Sequence, residues 1–168
     1  MSKIKYWILD VDGTMTDGSI YYDEKGNELK KFNTRDAAGF FAAREAGMKL
    51  VVMTGRECKA VEHRMKELKV DFLFQNVKNK KEFLLGFMRQ NNISKEELGY
   101  IGDELNDLAA MGLAGFVACP ANACQEVKER ADFVAEAKGG DGVIREVIEM
   151  ILRESSQWKK VVEKIYHI

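Results

Sequence analysis

The stretch Trp7-Ile8-Leu9-Asp10-Val11-Asp12-Gly13-Thr14 sets two carboxylates directly after an apolar run, where a buried strand should emerge into a loop. Aspartate and glycine are ordinary turn residues, so the motif taken alone also fits a solvated turn. It gains weight only if comparable chemistry follows other strands. Apolar runs rich in β-branched or aromatic residues do recur, as "YWIL", "KLVVM", "DFLF", "LGYI", "GFVA" and "DFVA". Stretches with helical spacing separate most of them. That alternation predicts an α/β fold, a doubly wound and mainly parallel sheet flanked by helices. Cys58, Val61, Met65 and Leu68 mark one sheet-covering helical face, and Phe83, Leu84, Phe87 and Met88 another.

The chain of 168 residues, 46% of them hydrophobic, is long enough for one domain with its own core, and no composition break divides it. Residues 1–168 are therefore read as a single domain. A net charge of -1 gives no broad attraction for nucleic acid or an anionic membrane, so neither is expected as a partner. Cys58, Cys119 and Cys124 form an odd set without Cys-x-x-Cys spacing, which points to a reducing compartment rather than a disulfide framework or zinc site. The start "MSKIKYWILD" lacks the apolar segment and cleavage site of a signal peptide, and no later run could span a bilayer. A cytoplasmic protein is expected.

Between the first two runs, Tyr21-Tyr22 and Leu29/Phe32 flank Gly26-Asn27, which reads as a β-hairpin insert over about 19–34. At the other end, over about 141–168, Ile144, Val147, Ile148, Ile151, Trp158, Val161, Val162 and Ile165 fall on nearly one stripe. A long amphipathic helix, or a helix with an ordered tail, is predicted there.

Functional groups in a parallel α/β sheet gather beyond the carboxyl ends of its strands. After "YWIL" come Asp10 and Asp12; after "KLVVM" come Thr54, Gly55 and Arg56; after "LGYI" come Gly102, Asp103, Glu104, Asn106 and Asp107; Lys80 stands where the helix after "DFLF" should begin. Grouped acids repel one another, and a hard divalent ion with oxygen ligands, Mg²⁺ first, relieves that repulsion. A carboxylate can then attack a phosphoryl group while Thr54 and Lys80 stabilise its equatorial oxygens, and Asp12 can protonate the leaving oxygen. Gly13 and Gly55 would let backbone amides approach the phosphate closely.

The ordered motifs "DVDGT", "VMTGR", Lys80 and "GDELND" resemble those of the haloacid dehalogenase superfamily of phosphohydrolases. More narrowly, "DVDGTMTDGSIYY", "KKFNTRD", "TGRECKAVEHR" and "ADFVAEAKGGDGVIRE" look like its capless subgroup of sugar-acid phosphatases, over roughly nine-tenths of the chain. The resemblance implies that Asp10 is a nucleophile forming an aspartyl-phosphate and that Asp12 is general acid, then general base. It implies Mg²⁺ held by Asp10, the backbone carbonyl of Asp12, and Asp103, with Thr54 and Lys80 on the phosphate and Asp107 orienting Lys80. Substrate recognition would fall to Asn33, Thr34, Arg35, Asp36 and Ala37, with Gly55, Arg56, Arg64 and Asn106; the two arginines suit a sugar carboxylate.

A homotetramer is also implied, in which hairpins associate and neighbouring chains cover each open site. The candidate covering surfaces are Tyr21 and Tyr22 of the hairpin and the tail after "GGDGVIRE", where Gly139, Gly140 and Gly142 are expected to give the chain freedom to reach across. The expected substrate is a small phosphorylated sugar acid, 3-deoxy-D-manno-octulosonate 8-phosphate before a nine-carbon nonulosonate 9-phosphate. The chain departs from the subgroup pattern at Ala37 (usually Gly), Glu104 (usually Asp), Thr14 (commonly aliphatic) and His63 (often Arg). A receiver-type signalling domain, which also groups an acceptor Asp, a Thr and a Lys around Mg²⁺, is the alternative of a different class. Motif order argues against it.

Overall fold

A computed structural model describes residues 3–168. Six strands form one parallel sheet in the order β5-β4-β1-β6-β7-β8. They are β1 (Tyr6–Leu9), β4 (Lys49–Met53), β5 (Phe72–Phe74), β6 (Leu98–Ile101), β7 (Phe116–Cys119) and β8 (Phe133–Val134). Period-two alternation sends Trp7, Leu9, Leu50 and Val52 into the core on one face, and Ile8, Val51, Met53 and Tyr100 into the core on the other. Helices α1 (Thr34–Glu45), α2 (Lys59–Leu68) and α6 (Val143–Glu154) cover the first face; α3 (Lys80–Asn91), α4 (Leu105–Met111) and α5 (Gln125–Arg130) cover the second. Of the two predicted helical stripes, Cys58, Val61, Met65 and Leu68 are all buried, whereas Leu84 and Phe87 are buried but Phe83 reaches solvent.

The chain grows outward from β1 through β4 to β5, then returns to lay β6 on the other side of β1. The order reverses at β1, so the β1/β6 boundary is a switch point, where open α/β sheets bind ligands. Leu9 pairs with Val52 and with Ile101, which sets the residues after β1, β4 and β6 side by side. The receiver alternative ends here. Receivers use the order 2-1-3-4-5, whereas this sheet runs 3-2-1-4-5-6 when its strands are numbered in sequence.

The insert is a two-stranded antiparallel hairpin, β2 (Tyr21–Tyr22) and β3 (Glu28–Leu29). Asp23 shapes its turn by accepting from the amides of Lys25 and Asn27 at 2.9 and 2.8 Å. The C-terminal stripe is not one helix. Helix α6 stops at Glu154, Ser156 takes a left-handed φ of 58°, and α7 (Trp158–Tyr166) turns back to pack on α1 of the same chain. The glycines ahead of α6 also differ from expectation. Gly139 and Gly140 do not supply freedom to reach a neighbour; they wedge against the Gly13–Asp17 loop, where a Cβ on Gly139 would stand 1.9 Å from the Gly13 carbonyl oxygen. No helix among the described residues is long and apolar enough to cross a membrane.

Candidate active site

Asp10 leaves β1 with its amide bonded to the Ile101 carbonyl at 2.9 Å, so the sheet ladder carries it to the edge before the chain turns. The turn closes tightly because the amides of Thr14, Met15 and Thr16 all point to the Val11 carbonyl. Gly13 adopts φ +92°, and a Cβ there would sit 2.0 Å from Asp103 Oδ2, so this close approach requires glycine. Thr54 is fixed between strands: its amide donates to Phe74 and its carbonyl accepts from Val77, each at 3.0 Å. Lys80 opens α3, whose Asn79 cap accepts from the Glu82 amide at 3.1 Å.

Beneath the cleft, the Lys80 ammonium donates to Asp10 Oδ1 and to Asp107 Oδ1, both at 2.6 Å, with all three side chains buried. Asp107 Oδ1 also accepts from the Tyr100 hydroxyl at 2.7 Å, and its Oδ2 takes the amides of Asp103 and Glu104 at 3.1 and 3.3 Å. With both oxygens committed, Asp107 holds Lys80 in place and caps α4. Burial and the neighbouring Asp107 charge push the Asp10 carboxyl well above its usual range, despite Lys80. Burial opposes the Lys80 ammonium, yet Asp10 and Asp107 together raise its pKa. The Asp103 carboxyl is pushed up to about 6 by burial, although it accepts from Thr14 Oγ1 at 2.9 Å.

Carboxylate oxygens of Asp10, Asp103 and Asp107 lie within 4.8 Å of one another. One lysine cannot neutralise three acids, and Asp10 and Asp103 retain acceptor capacity toward the cleft. This is an all-oxygen donor set that fits a hard divalent cation such as Mg²⁺.

Above these acids opens a cleft of about 520 Å³ lined by Asp10, Asp12, Thr54, Gly55, Arg56, Asp103 and Asn106, together with Asp17, Ser19, Glu104 and Asn122. Thr54 Oγ1 lies 3.3 Å from Asp12 Oδ2. The hairpin supplies two residues that the sequence pattern did not single out. Lys30 bonds Asp12 Oδ1 and, at 2.6 Å, Glu28 Oε1, while Glu28 Oε2 takes Arg56 Nη2 at 2.8 Å. Arg56, expected to meet a sugar carboxylate, therefore already gives its Nη2 and Nε to Glu28.

Of the remaining expected substrate residues, Gly55 and Asn106 line this cleft, whereas those at the start of α1 and in α2 stand apart from it. Asn33 caps α1 through the Arg35 amide and donates to the Gly140 carbonyl at 3.0 Å; Thr34 is the first residue of α1, and Ala37 packs on the core. Arg35 faces a separate groove beside α6, and Arg64 Nη1 pairs with Glu67 at 3.1 Å. Asp36 lies at the foot of α6. It is buried and accepts from the Ile144 and Arg145 amides at 3.0 and 3.3 Å, because the unpaired amides at the start of α6 need an acceptor.

Residues 72–147 match the model for haloacid dehalogenase-like hydrolases. Over 150 residues the chain is 37% identical to the 3-deoxy-D-manno-octulosonate 8-phosphate phosphatase of Escherichia coli, covering 89% of this chain and 80% of that one. The chain belongs to this phosphatase family. A crystal structure of the Moraxella catarrhalis phosphatase of the same name, in complex with magnesium ion, phosphate ion and KDO, superposes with a TM-score of 0.93 at 34% identity, covering 98% of this chain and 94% of that one. The cobalt-bound Haemophilus influenzae enzyme superposes at 0.88 and 32% identity, over 94% and 92% of the two chains. The phosphatase family thus joins the parallel sheet and the strand-end acids in one reading.

Proposed function

We propose that this phosphatase hydrolyses 3-deoxy-D-manno-octulosonate 8-phosphate with Mg²⁺, in the cytoplasm. The observation that carries the reading is Lys80, buried between Asp10 and Asp107 and beside Asp103, at the floor of a polar cleft. The E. coli and M. catarrhalis relatives support the eight-carbon substrate over the nine-carbon one.

Mg²⁺ held by Asp10, Asp103 and the Asp12 carbonyl would neutralise the acids and the incoming phosphate. Asp10 attacks phosphorus; an oxygen–phosphorus bond forms to its carboxylate as the bond to the sugar oxygen breaks. Asp12 gives its proton to that leaving oxygen. The Thr54 hydroxyl and Lys80 ammonium stabilise the charge on the equatorial oxygens, preorganised by the strand-end bonds and by Asp107. Asp12 then takes a proton from water, whose attack on the aspartyl-phosphate releases phosphate and restores Asp10.

A capless cleft leaves the sugar exposed, and a homotetramer would cover it. Ile20, Tyr21, Tyr22 and Leu29 project exposed apolar surface from the hairpin, which supports self-association there rather than through α7. Light scattering checks this: a monomer with full sugar-acid selectivity contradicts it. For the activity, phosphate release from the octulosonate 8-phosphate, a nonulosonate 9-phosphate and hexose phosphates should be compared with and without Mg²⁺. The highest kcat/KM belongs to the octulosonate ester, and chelation abolishes it; a preference for hexose phosphates overturns the reading.

A further inference from the structure

We propose that Lys30, set by Glu28, is a positioning residue that holds the acid–base carboxylate of Asp12, so that the hairpin is part of the catalytic apparatus. The inference rests on the phosphatase reading, in which Asp12 moves the proton. A lysine in a hairpin is ordinarily a solvated edge residue, and its neighbours agree, since Leu29 and Tyr22 face solvent. The Lys30 side chain does the opposite. Only 1% of it is exposed, between Asp12 Oδ1 and Glu28 Oε1.

Burying an ammonium is costly unless it is paired, so this arrangement persists because both carboxylates face it. Glu28 in turn grips Arg56, giving an alternating row Asp12, Lys30, Glu28, Arg56. The row fastens the hairpin to the loops after β1 and β4, the two loops that carry Asp12 and Thr54. Position within the row gives Lys30 its role. It occupies Asp12 Oδ1, while Oδ2 is turned toward Thr54 Oγ1, on the phosphate side of the cleft. Lysine has donors only, so it cannot relay a proton from Asp12; it fixes the carboxylate with one oxygen aimed where the leaving oxygen departs.

A lysine that merely docks the hairpin would, when lost, slow every substrate alike or weaken binding. A lysine that aims the proton donor has a different signature, because a leaving group that departs as a stable anion needs little protonation. The test is single-turnover phosphoenzyme formation from the octulosonate 8-phosphate and from p-nitrophenyl phosphate, in Lys30→Met, Asp12→Asn and the double variant. Lys30→Met should slow transfer from the sugar phosphate at least about tenfold more than from the aryl phosphate, within the range general acids contribute. Added to Asp12→Asn it should slow transfer no further, since the residue it positions is already disabled, and Lys30→Arg should recover part of the loss.

Equal slowing of both substrates by Lys30→Met, with Asp12→Asn still discriminating, overturns the role of Lys30 alone. No discrimination by Asp12→Asn overturns the acid–base assignment on which it rests. If Lys30→Met fails to fold, Glu28→Gln keeps the shape of the row while weakening its hold on Lys30. A smaller slowing with the same leaving-group bias supports the proposal, and an unbiased one overturns it.

Discussion

On one side of the cleft Asp10, Thr54 and Asp103 stand at the ends of three adjacent parallel strands; on the other, Glu28 and Lys30 arrive from a hairpin outside the main sheet. The first side is positioned by backbone. A ladder bond from Asp10 to Ile101 and paired bonds from Thr54 to β5 and the loop after it fix where these side chains start. The second side is positioned by charge, through the row from Asp12 to Arg56. Backbone-held groups tolerate a change of one side chain without moving their neighbours, whereas each member of a charge row depends on the next.

The strand-end side predicts the largest effects. Asp10→Asn keeps the shape of the side chain but removes the attacking charge, so turnover should fall by about 10⁴-fold or more. Its thermal unfolding should remain cooperative, because the ladder is untouched. Steady-state phosphate release and a melting curve measure the two halves, and wild-type-like turnover excludes Asp10 as nucleophile. Thr54→Val removes one preorganised donor and should slow phosphoenzyme formation by about 10²–10³-fold. A loss confined to KM would instead mean that Thr54 binds the ground state and the transition state equally.

Thr14 belongs to the same side and sharpens the contrast, since its hydroxyl reaches Asp103 across the turn rather than along a strand. Outer partners of metal-binding carboxylates commonly carry 10–100-fold in affinity, and Thr14→Val should weaken Mg²⁺ binding by about tenfold. Calorimetric titration of the purified protein reads this without reference to activity, and Thr14→Ser should retain the tighter constant. Unchanged affinity in Thr14→Val would mean that Gly13 and the backbone alone hold Asp103.

The two sides also differ in how far the sequence discloses them. Asp10, Asp12, Thr54, Lys80 and Asp103 each follow an apolar run, so a reader who finds the strands finds their ends as well. Lys30 and Glu28 follow no such signal. Glu28-Leu29-Lys30, a two-residue strand and the residue after it, reads as an exposed edge, and only the contact of the hairpin with the loop after β1 turns the charges inward. The break between α6 and α7 is concealed for the opposite reason. The apolar stripe continues in phase across Ser155–Gln157, so periodicity reports an uninterrupted face while the left-handed Ser156 reverses the chain. Asp36 was legible as a polar residue with a purpose. That its partners are amides at the start of α6, more than a hundred residues later, depends on how α1 and α6 pack.

The smallest effect belongs to Asp36, and it separates a fold-holding role from a substrate-binding one. Burial pushes its carboxyl up to about 6, against the Arg145 and Ile144 amides and the Arg64 guanidinium that favour its charge, and Asp141 adds repulsion. The folded chain therefore holds this proton more tightly than the unfolded chain, in which aspartate titrates near about 3.9. The contribution to stability is fully present below about pH 4 and is lost as the pH rises through about 6, a change of the order of 2 kcal/mol. Asp36→Asn retains an oxygen for the Ile144 amide but has no titration. Between pH 4.5 and 7.5 the variant should gain on the wild type by about 1–2 kcal/mol in urea unfolding. The remaining acids titrate equally in both chains and cancel from the difference. Parallel stability profiles would mean that Asp36 is solvated in the folded protein and free to face a ligand, whereas converging or crossing profiles keep it at the foot of α6.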